Sequence, residues 1–178
     1  MHTHIDSDPT YGGYNSLQFN DRFWSVIAVP NALRTLNAGF TTIRNVGSDA
    51  WNDVGLNQAI EQGQMPGPRI VPAGYAFGAT GGHCDSTFFP PSMNQKNSFN
   101  ADSPDEARKS IREIRKYGAQ AIKICATGGV FSHNTEPGQQ QLSYAEMKAI
   151  AYATMVDIAE KEFNIPIKKK LNTKPSQK

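Results

Sequence analysis

The chain has 178 residues and a formal net charge of +2. This length suits one domain with a hydrophobic core, or part of a larger one. The nearly balanced charge excludes a bulk attraction to nucleic acid, and no apolar run is long enough to span a bilayer. The lysines at the C-terminal end predict a solvated, flexible tail, with a nucleic-acid contact there as the less favoured alternative; they are Lys168, Lys169, Lys170, Lys174 and Lys178.

The chain has two cysteines, Cys84 and Cys125, whose spacing fits no zinc or redox motif. We therefore expect two free thiols in a reducing compartment. No signal peptide precedes His2, although a truncated N-terminus would have removed one. The sequence accordingly predicts a cytoplasmic protein with no membrane partner.

The first part of the chain alternates between helical and extended patterns. Helical spacing of apolar residues runs from 21 to 38, and Pro30 is expected to kink or split that helix. A strand is predicted at 40–46, a second helix at 53–62 and a second strand at 69–73. The segment 74–100 is too long for an idle connection, which makes it a candidate functional loop.

Two capping boxes organise the second part of the chain. Ser103 and Glu106 open a helix that is predicted to end at Tyr117 and to bury Ala107, Ile111 and Ile114. A strand at 119–125 follows, and a second box at 143–146 opens a helix that extends to about residue 163. Helices and strands that alternate in this way predict an α/β protein with a parallel sheet or barrel.

A His-x-His pair, His2 and His4, stands at the beginning of the chain. Two residues that are two positions apart on an extended segment project to the same side. Both imidazoles can then reach one divalent metal ion. The pair indicates a metallohydrolase, and its position at the start, with almost no strand before it, indicates an incomplete chain.

Lys123 lies within the predicted strand 119–125. Both faces of a parallel strand are normally buried, so this lysine needs a partner. A neutral lysine amine can react with carbon dioxide to form a carbamate, an anionic ligand that suits a bridge between two metals. The alternative is a lysine that extends to solvent or forms an ion pair at the end of the strand.

Glycine-rich segments follow two of the predicted strands, at 78–83 and 126–133. Neither has the spacing of a P-loop or of a dinucleotide-binding fingerprint. The active site of a parallel barrel forms at the carboxyl ends of its strands. His83 and His133 are therefore candidate ligands or substrate contacts, whereas Asp6, Asp8 and Glu136 are expected to be solvated loop carboxylates. Arg44 and Asn45 also fall near such a strand end.

Several segments, taken in order, resemble the amidohydrolase superfamily, in particular its imidazolonepropionase-like branch with the prolidase-type Xaa-Pro dipeptidases. They are 2–6, 8–15, 38–45, 78–83 and 122–129. The resemblance implies a (β/α)8 barrel with one or two divalent metal ions, zinc being the expected ion. It implies that His2, His4 and Lys123, as a carboxylated lysine, are metal ligands and that His83 contacts the substrate.

The resemblance covers residues 1–150 and implies a partial (β/α)8 TIM-type barrel of about four strand–helix units. Residues 151–178 are predicted to be a divergent helix and basic tail. The chain has no histidine after His133, and no residue matches the family's acid/base aspartate, so no catalytic residue is assigned. The resemblance implies hydrolysis of a C–N bond, most simply in a dipeptide. A non-catalytic fragment that self-associates or needs a complementary chain is the alternative.

Overall fold

The computed structural model describes residues 2–164, and the basic tail therefore lies outside the described residues. Three short strands form a parallel sheet in the order β1–β2–β3. They are β1 (His2–Thr3), β2 (Thr42–Asn45) and β3 (Arg69–Pro72). Four helices accompany them: α1 (Phe23–Asn37), α2 (Asn52–Glu61), α3 (Pro104–Lys116) and α4 (Tyr144–Phe163). The chain thus has an α/β fold, consistent with part of a parallel barrel.

The strand predicted at 119–125 is largely absent. This segment makes only an isolated parallel bridge between Phe77 and Ile124. The amide of Phe77 donates to the carbonyl of Lys123 at 2.9 Å, and the amide of Cys125 donates to the carbonyl of Phe77 at 2.8 Å. The amides of Gln120 and Ala121 also donate to the carbonyl of Pro72 at the end of β3, at 2.8 and 3.1 Å. The segment is therefore tied to its neighbours at two places without forming a continuous strand, and the count of four strand–helix units stays a prediction.

One face of the sheet is covered and the other is open. Ile43 and Ile70 are paired in register and are both 1% exposed, and they pack with residues of α1 and α2 in one hydrophobic cluster. Arg44, on the opposite face of β2, is exposed. At these residues the helices therefore cover only one side of the sheet.

The helix boundaries follow local sequence signals. The hydroxyl oxygen of Ser143 accepts from the amide of Glu146, and the Glu146 carboxylate accepts from the amide of Ser143, which completes a capping box. Ala107, Ile111 and Ile114 of α3 are buried as predicted. The first helix continues through Pro30 and is not split. Pro30 is solvent-exposed.

Candidate metal centre

The His-x-His pair lies at the carboxyl end of β1, where the sheet holds it in register with β2. His2 is opposite Arg44, and Thr3 is opposite Asn45. The Thr3 hydroxyl donates to the carbonyl of Arg44 at 2.8 Å. The Nε2 atoms of His2 and His4 are 3.1 Å apart. Two imidazole nitrogens on one tetrahedral zinc ion are separated by roughly 3.4 Å, so this spacing fits a shared ion.

The environment of each imidazole favours the form that binds metals. Nδ1 of His4 lies 3.4 Å from the carbonyl oxygen of Gly47. A carbonyl can only accept, so this contact requires the proton on Nδ1 and leaves the lone pair of Nε2 free. Partial desolvation, followed by the charge of Lys123 and the nearby His4, lowers the pKa of His2. The lowered pKa of His2 favours its neutral form, which is the form that binds a cation.

Lys123 and His83 lie on the same cavity as the histidine pair. The cavity has a volume of about 750 Å³. Lys123 is half-buried, and it is close enough to His2 to influence its ionisation. Within residues 2–164 there is no cluster of three or more His, Cys, Asp or Glu side chains that could hold a metal ion. The two imidazoles are therefore the groups that are placed to bind a cation here. Lys123 lies on the same cavity.

A buried polar network holds the ends of the three strands together behind the cavity. The Asn45 side chain is fully buried and accepts from the amide of Ile5 at 2.7 Å. Its amide group donates to Asp53 Oδ2 at 3.4 Å, and the same oxygen accepts from the amides of Ala73 and Gly74 at 3.0 and 3.1 Å. One carboxylate in α2 thus joins the ends of β2 and β3, and Asn45 adds the end of β1.

Asp6 belongs to this network, and the expectation that it is a solvated carboxylate is wrong. Its side chain is 8% exposed and accepts from the Ser48 hydroxyl at 2.6 Å and from Asn52 at 3.3 Å. Burial raises the pKa of Asp49, and the charge of Asp6 adds to this shift. The carboxylate is buried because the segment that follows β2 folds over the end of β1. A His-x-His-x-Asp spacing was the only sequence signal for Asp6.

The loop 74–100 forms the wall that carries His83. Asn97 donates to the carbonyls of Ala76 and Cys84 at 2.8 and 2.9 Å. Asp85 accepts from the amides of Gly81, Ser86 and Asn97. Partial burial opposes ionisation of Asp85, but these backbone donors lower its pKa overall. Hydrogen bonds within the loop therefore hold its conformation.

Cys84 and Cys125 form a disulfide, so the expectation of two free thiols is wrong. The bond joins the residue after His83 to the segment that carries Lys123. Both cysteines line the cavity. The sequence could not show this, because the two positions are 41 residues apart and meet only through the Phe77–Ile124 bridge. Because the two thiols are paired, they no longer support the prediction of a reducing compartment.

The other candidates do not all reach the cavity. Within the described residues, neither Arg44 nor His133 lines it, and the ring of His133 packs edge-on against Phe88 with centroids 5.1 Å apart. Trp24 and Lys96, which sequence reasoning missed, do line it. No local pattern singles out either residue, because only the folding of the loops brings them to the cavity.

Three comparisons relate this chain to known proteins. It is 30% identical over 130 residues to ochratoxinase from Aspergillus niger, an alignment that covers 65% of this chain and 26% of that protein. It is similar in structure to a Xaa-Pro dipeptidase with bound methionine, with a TM-score of 0.76, 28% identity, and coverage of 93% of this chain and 40% of that one.

A prolidase complexed with N-methylphosphonate-L-proline is similar too, with a TM-score of 0.74, 30% identity, and coverage of 88% and 40%. The chain therefore spans about 40% of the length of these solved structures and about a quarter of the curated relative. Residues 1–167 match the sequence profile of the Amidohydrolase family, a range that includes α4. The chain belongs to the amidohydrolase family.

Proposed function

We propose that this chain is the metal-binding part of a hydrolase that cleaves the C–N bond of an amide or peptide. The observation that carries the proposal is the 3.1 Å approach of the His2 and His4 Nε2 atoms on a cavity that Lys123 also lines. Membership of the amidohydrolase family supports the reaction class. A divalent ion, when bound, polarises a carbonyl group and lowers the pKa of water.

The residues of the chain have separate parts in this proposal. His2 and His4 hold the cation through Nε2, and the carbonyl of Gly47 fixes the tautomer of His4. Lys123, as a carbamate, supplies an anionic oxygen: its amine adds to carbon dioxide, a C–N bond forms, and the amine releases a proton. His83, which lines the same cavity, contacts the substrate. No described residue is assigned as the general acid or base.

A dipeptide is the proposed substrate. The solved relatives include a Xaa-Pro dipeptidase with bound methionine and a prolidase complexed with a proline derivative, which supports a small substrate with an amino-acid side chain. A cyclic amide such as imidazolonepropionate is the alternative. Zinc is the proposed ion because imidazole suits zinc, and manganese, iron and cobalt are the competing ions.

The test combines metal binding with turnover. The purified chain would be titrated with zinc by calorimetry and then incubated with a panel of Xaa-Pro and Xaa-Arg dipeptides. We expect zinc binding and hydrolysis that are both lost in the double variant His2→Ala, His4→Ala and retained in His133→Ala, whose ring lies off the cavity. Zinc binding that survives the double variant would overturn the metal site, and turnover equal to that of the double variant would overturn the activity.

A second candidate is a non-catalytic chain that associates with a further copy of itself. The supporting observation is a set of large apolar side chains that are exposed in the described residues: Val130, Phe131, Tyr144, Tyr152, Met155 and Phe163. Val130 and Phe131 are 81% and 80% exposed. Where such side chains form a contiguous patch, they mark interaction sites in soluble proteins. Nucleic acid is not a proposed partner, and within residues 2–164 no helix has the length and apolarity that crossing a bilayer requires.

A further inference from the structure

The segment 126–141 contacts both the backbone and the ring of His83. Its backbone amide donates to the Gln141 side chain at 2.9 Å, and its Nδ1 lies 2.6 Å from the hydroxyl oxygen of Ser132. The imidazole ring lies against the backbone of Gly129, where any Cβ atom would overlap the ring. The Ser132 hydroxyl and the backbone of Gly129 therefore restrict the ring, and the Gln141 side chain restricts the backbone of His83.

The Ser132 hydroxyl has one proton and two acceptors within reach. Nδ1 of His83 is 2.6 Å away, and the carbonyl oxygen of His83 is 3.5 Å away, at the limit of a hydrogen bond. The hydroxyl can donate to an unprotonated Nδ1 or accept from a protonated one. The first arrangement is favoured, because the second leaves the hydroxyl proton only the carbonyl oxygen at 3.5 Å. In a neutral imidazole one nitrogen is the donor and the other the acceptor. The remaining proton is then on Nε2.

We propose that Ser132 is a positioning residue that fixes the ring of His83 in the tautomer with its proton on Nε2. His83 lines the cavity and Ser132 does not. The ring therefore offers an N–H donor, fixed in direction, to an acceptor oxygen of the substrate. This role rests on the proposed function in one respect, namely that His83 contacts a substrate.

The same pair of side chains could be interpreted as a nucleophilic serine with a histidine base. Such a pair needs a third group that orients the base and access of the serine to the substrate. Within the described residues no hydrogen bond is made to Nε2 of His83, and Ser132 lies outside the lining of the cavity. The geometry favours the positioning role.

The test is NMR of the metal-free chain labelled with 15N-histidine, at about pH 8, above the usual histidine pKa of about 6.5. It needs neither metal nor turnover, so its failure is distinct from failure of the proposed function. We expect His83 to show a protonated Nε2 and a hydrogen-bonded Nδ1. In Ser132→Ala the Nδ1 signal should shift to the position of an unbonded ring nitrogen, while Ser132→Thr should retain the original signal.

His133 is the internal control, because its ring nitrogens make no hydrogen bond within residues 2–164. Its signals should be the same in all three proteins, which also reports that the variants are folded. A proton on Nδ1 of His83, or a signal that Ser132→Ala leaves unchanged, would overturn the proposal. Covalent labelling of Ser132 by a fluorophosphonate probe would overturn it too, in favour of the nucleophile.

Discussion

The histidines of the candidate site are restricted in tautomer and orientation by the groups that surround them. The carbonyl of Gly47 accepts from Nδ1 of His4, and partial desolvation together with the charge of Lys123 lowers the pKa of His2. Metal binding requires neutral imidazoles, so both effects favour the bound state. The same principle applies to His83, whose ring is fixed by Ser132 and Gly129.

Carboxylation of Lys123 is open to a direct measurement. With zinc and 13C-labelled bicarbonate, we expect one carbamate signal in the NMR spectrum of the chain. The signal should vanish in Lys123→Gln, because that side chain has no amine to react. Lys109→Gln, on the exposed surface of α3, is the control and should keep it. A spectrum that is the same for Lys123→Gln and the unaltered chain rules out the carbamate at this residue.

Gly129 is expected to tolerate no side chain. In Gly129→Ala the new methyl group overlaps the ring of His83, and overpacking of this kind costs about 1–3 kcal/mol of the free energy of unfolding. Gly55→Ala is the matched control: Gly55 lies in α2 with nothing close to the position of its Cβ, and alanine should stabilise the helix by about 0.5–1 kcal/mol. Urea unfolding measures both, and equal effects of the two substitutions would contradict the expectation.

Among the elements, α2 does most to assemble the strand ends. Asp53 is fully buried, and its Oδ2 accepts from Asn45, Ala73 and Gly74, while Oδ1 has no partner among the described residues. Burial raises the pKa of Asp53, although its hydrogen bonds act in the opposite direction. A buried carboxylate at this position joins the strand ends, but its ionisation at neutral pH lowers the free energy of unfolding.

Two substitutions of Asp53 should distinguish its role as a hydrogen-bond acceptor from the effect of its charge. Asp53→Ala leaves buried donors without an acceptor, at about 1–3 kcal/mol for each unpaired group, so we expect a large loss of stability in urea unfolding. Asp53→Asn retains an acceptor oxygen and removes the charge, and it should be much less destabilising. Two variants with the same free energy of unfolding would show that Asp53 does not anchor the strand ends.

The pH dependence of stability should report the raised pKa of Asp53. Between 3.8, its unfolded value, and its higher folded value, the folded state retains a proton that the unfolded state releases. Stability therefore falls as pH rises through this window. Asp53→Asn lacks this component, so its free energy of unfolding should rise relative to that of the unaltered chain as pH increases from about 3.5 to 7. A constant difference would contradict the shift.

The disulfide is a second link between elements, and it joins two walls of the cavity. The loop it closes spans 41 residues, for which chain entropy predicts a stabilisation of about 4 kcal/mol. We expect a reductant to lower the melting temperature of the chain to that of Cys84→Ser, Cys125→Ser. The double variant itself should not respond to the reductant. Two free thiols in the unreduced, folded chain would contradict the bond.

At the scale of the whole molecule, one face of the sheet and much of α4 are uncovered. Tyr152 and Met155 of α4 are 56% and 63% exposed. The chain spans about 40% of the length of its solved relatives.

The second candidate function predicts self-association through these exposed side chains. Light scattering after size exclusion should give a mass that increases with concentration, because apolar surface is removed from water on contact. Tyr152→Glu with Met155→Glu should lower that mass toward the monomer value of 19.5 kDa. Lys109→Glu on α3 is the control and should not. A monomer at every concentration in the unaltered chain counts against the second candidate function.

Sequence reasoning was most reliable where the signal is local. The helices at 23–37, 52–61, 104–116 and 144–163 and the strands β2 and β3 were predicted to within a few residues, because caps and apolar periodicity act over one or two turns. The strand at 119–125 was not, since strand formation depends on a neighbour that pairs with it. The domain boundary at residue 150 and the site assignments stay predictions.

The sequence by itself determined the family, the order of helices and strands, and the pair of histidines on one side of a strand, because all of these are written in spacing and motif order. Only the tertiary structure decided which polar groups are buried and which cysteines meet. Asp6, Asp53 and the Cys84–Cys125 bond all join residues that are far apart in the chain. Their burial and pairing depend on packing between elements, which no local sequence pattern encodes.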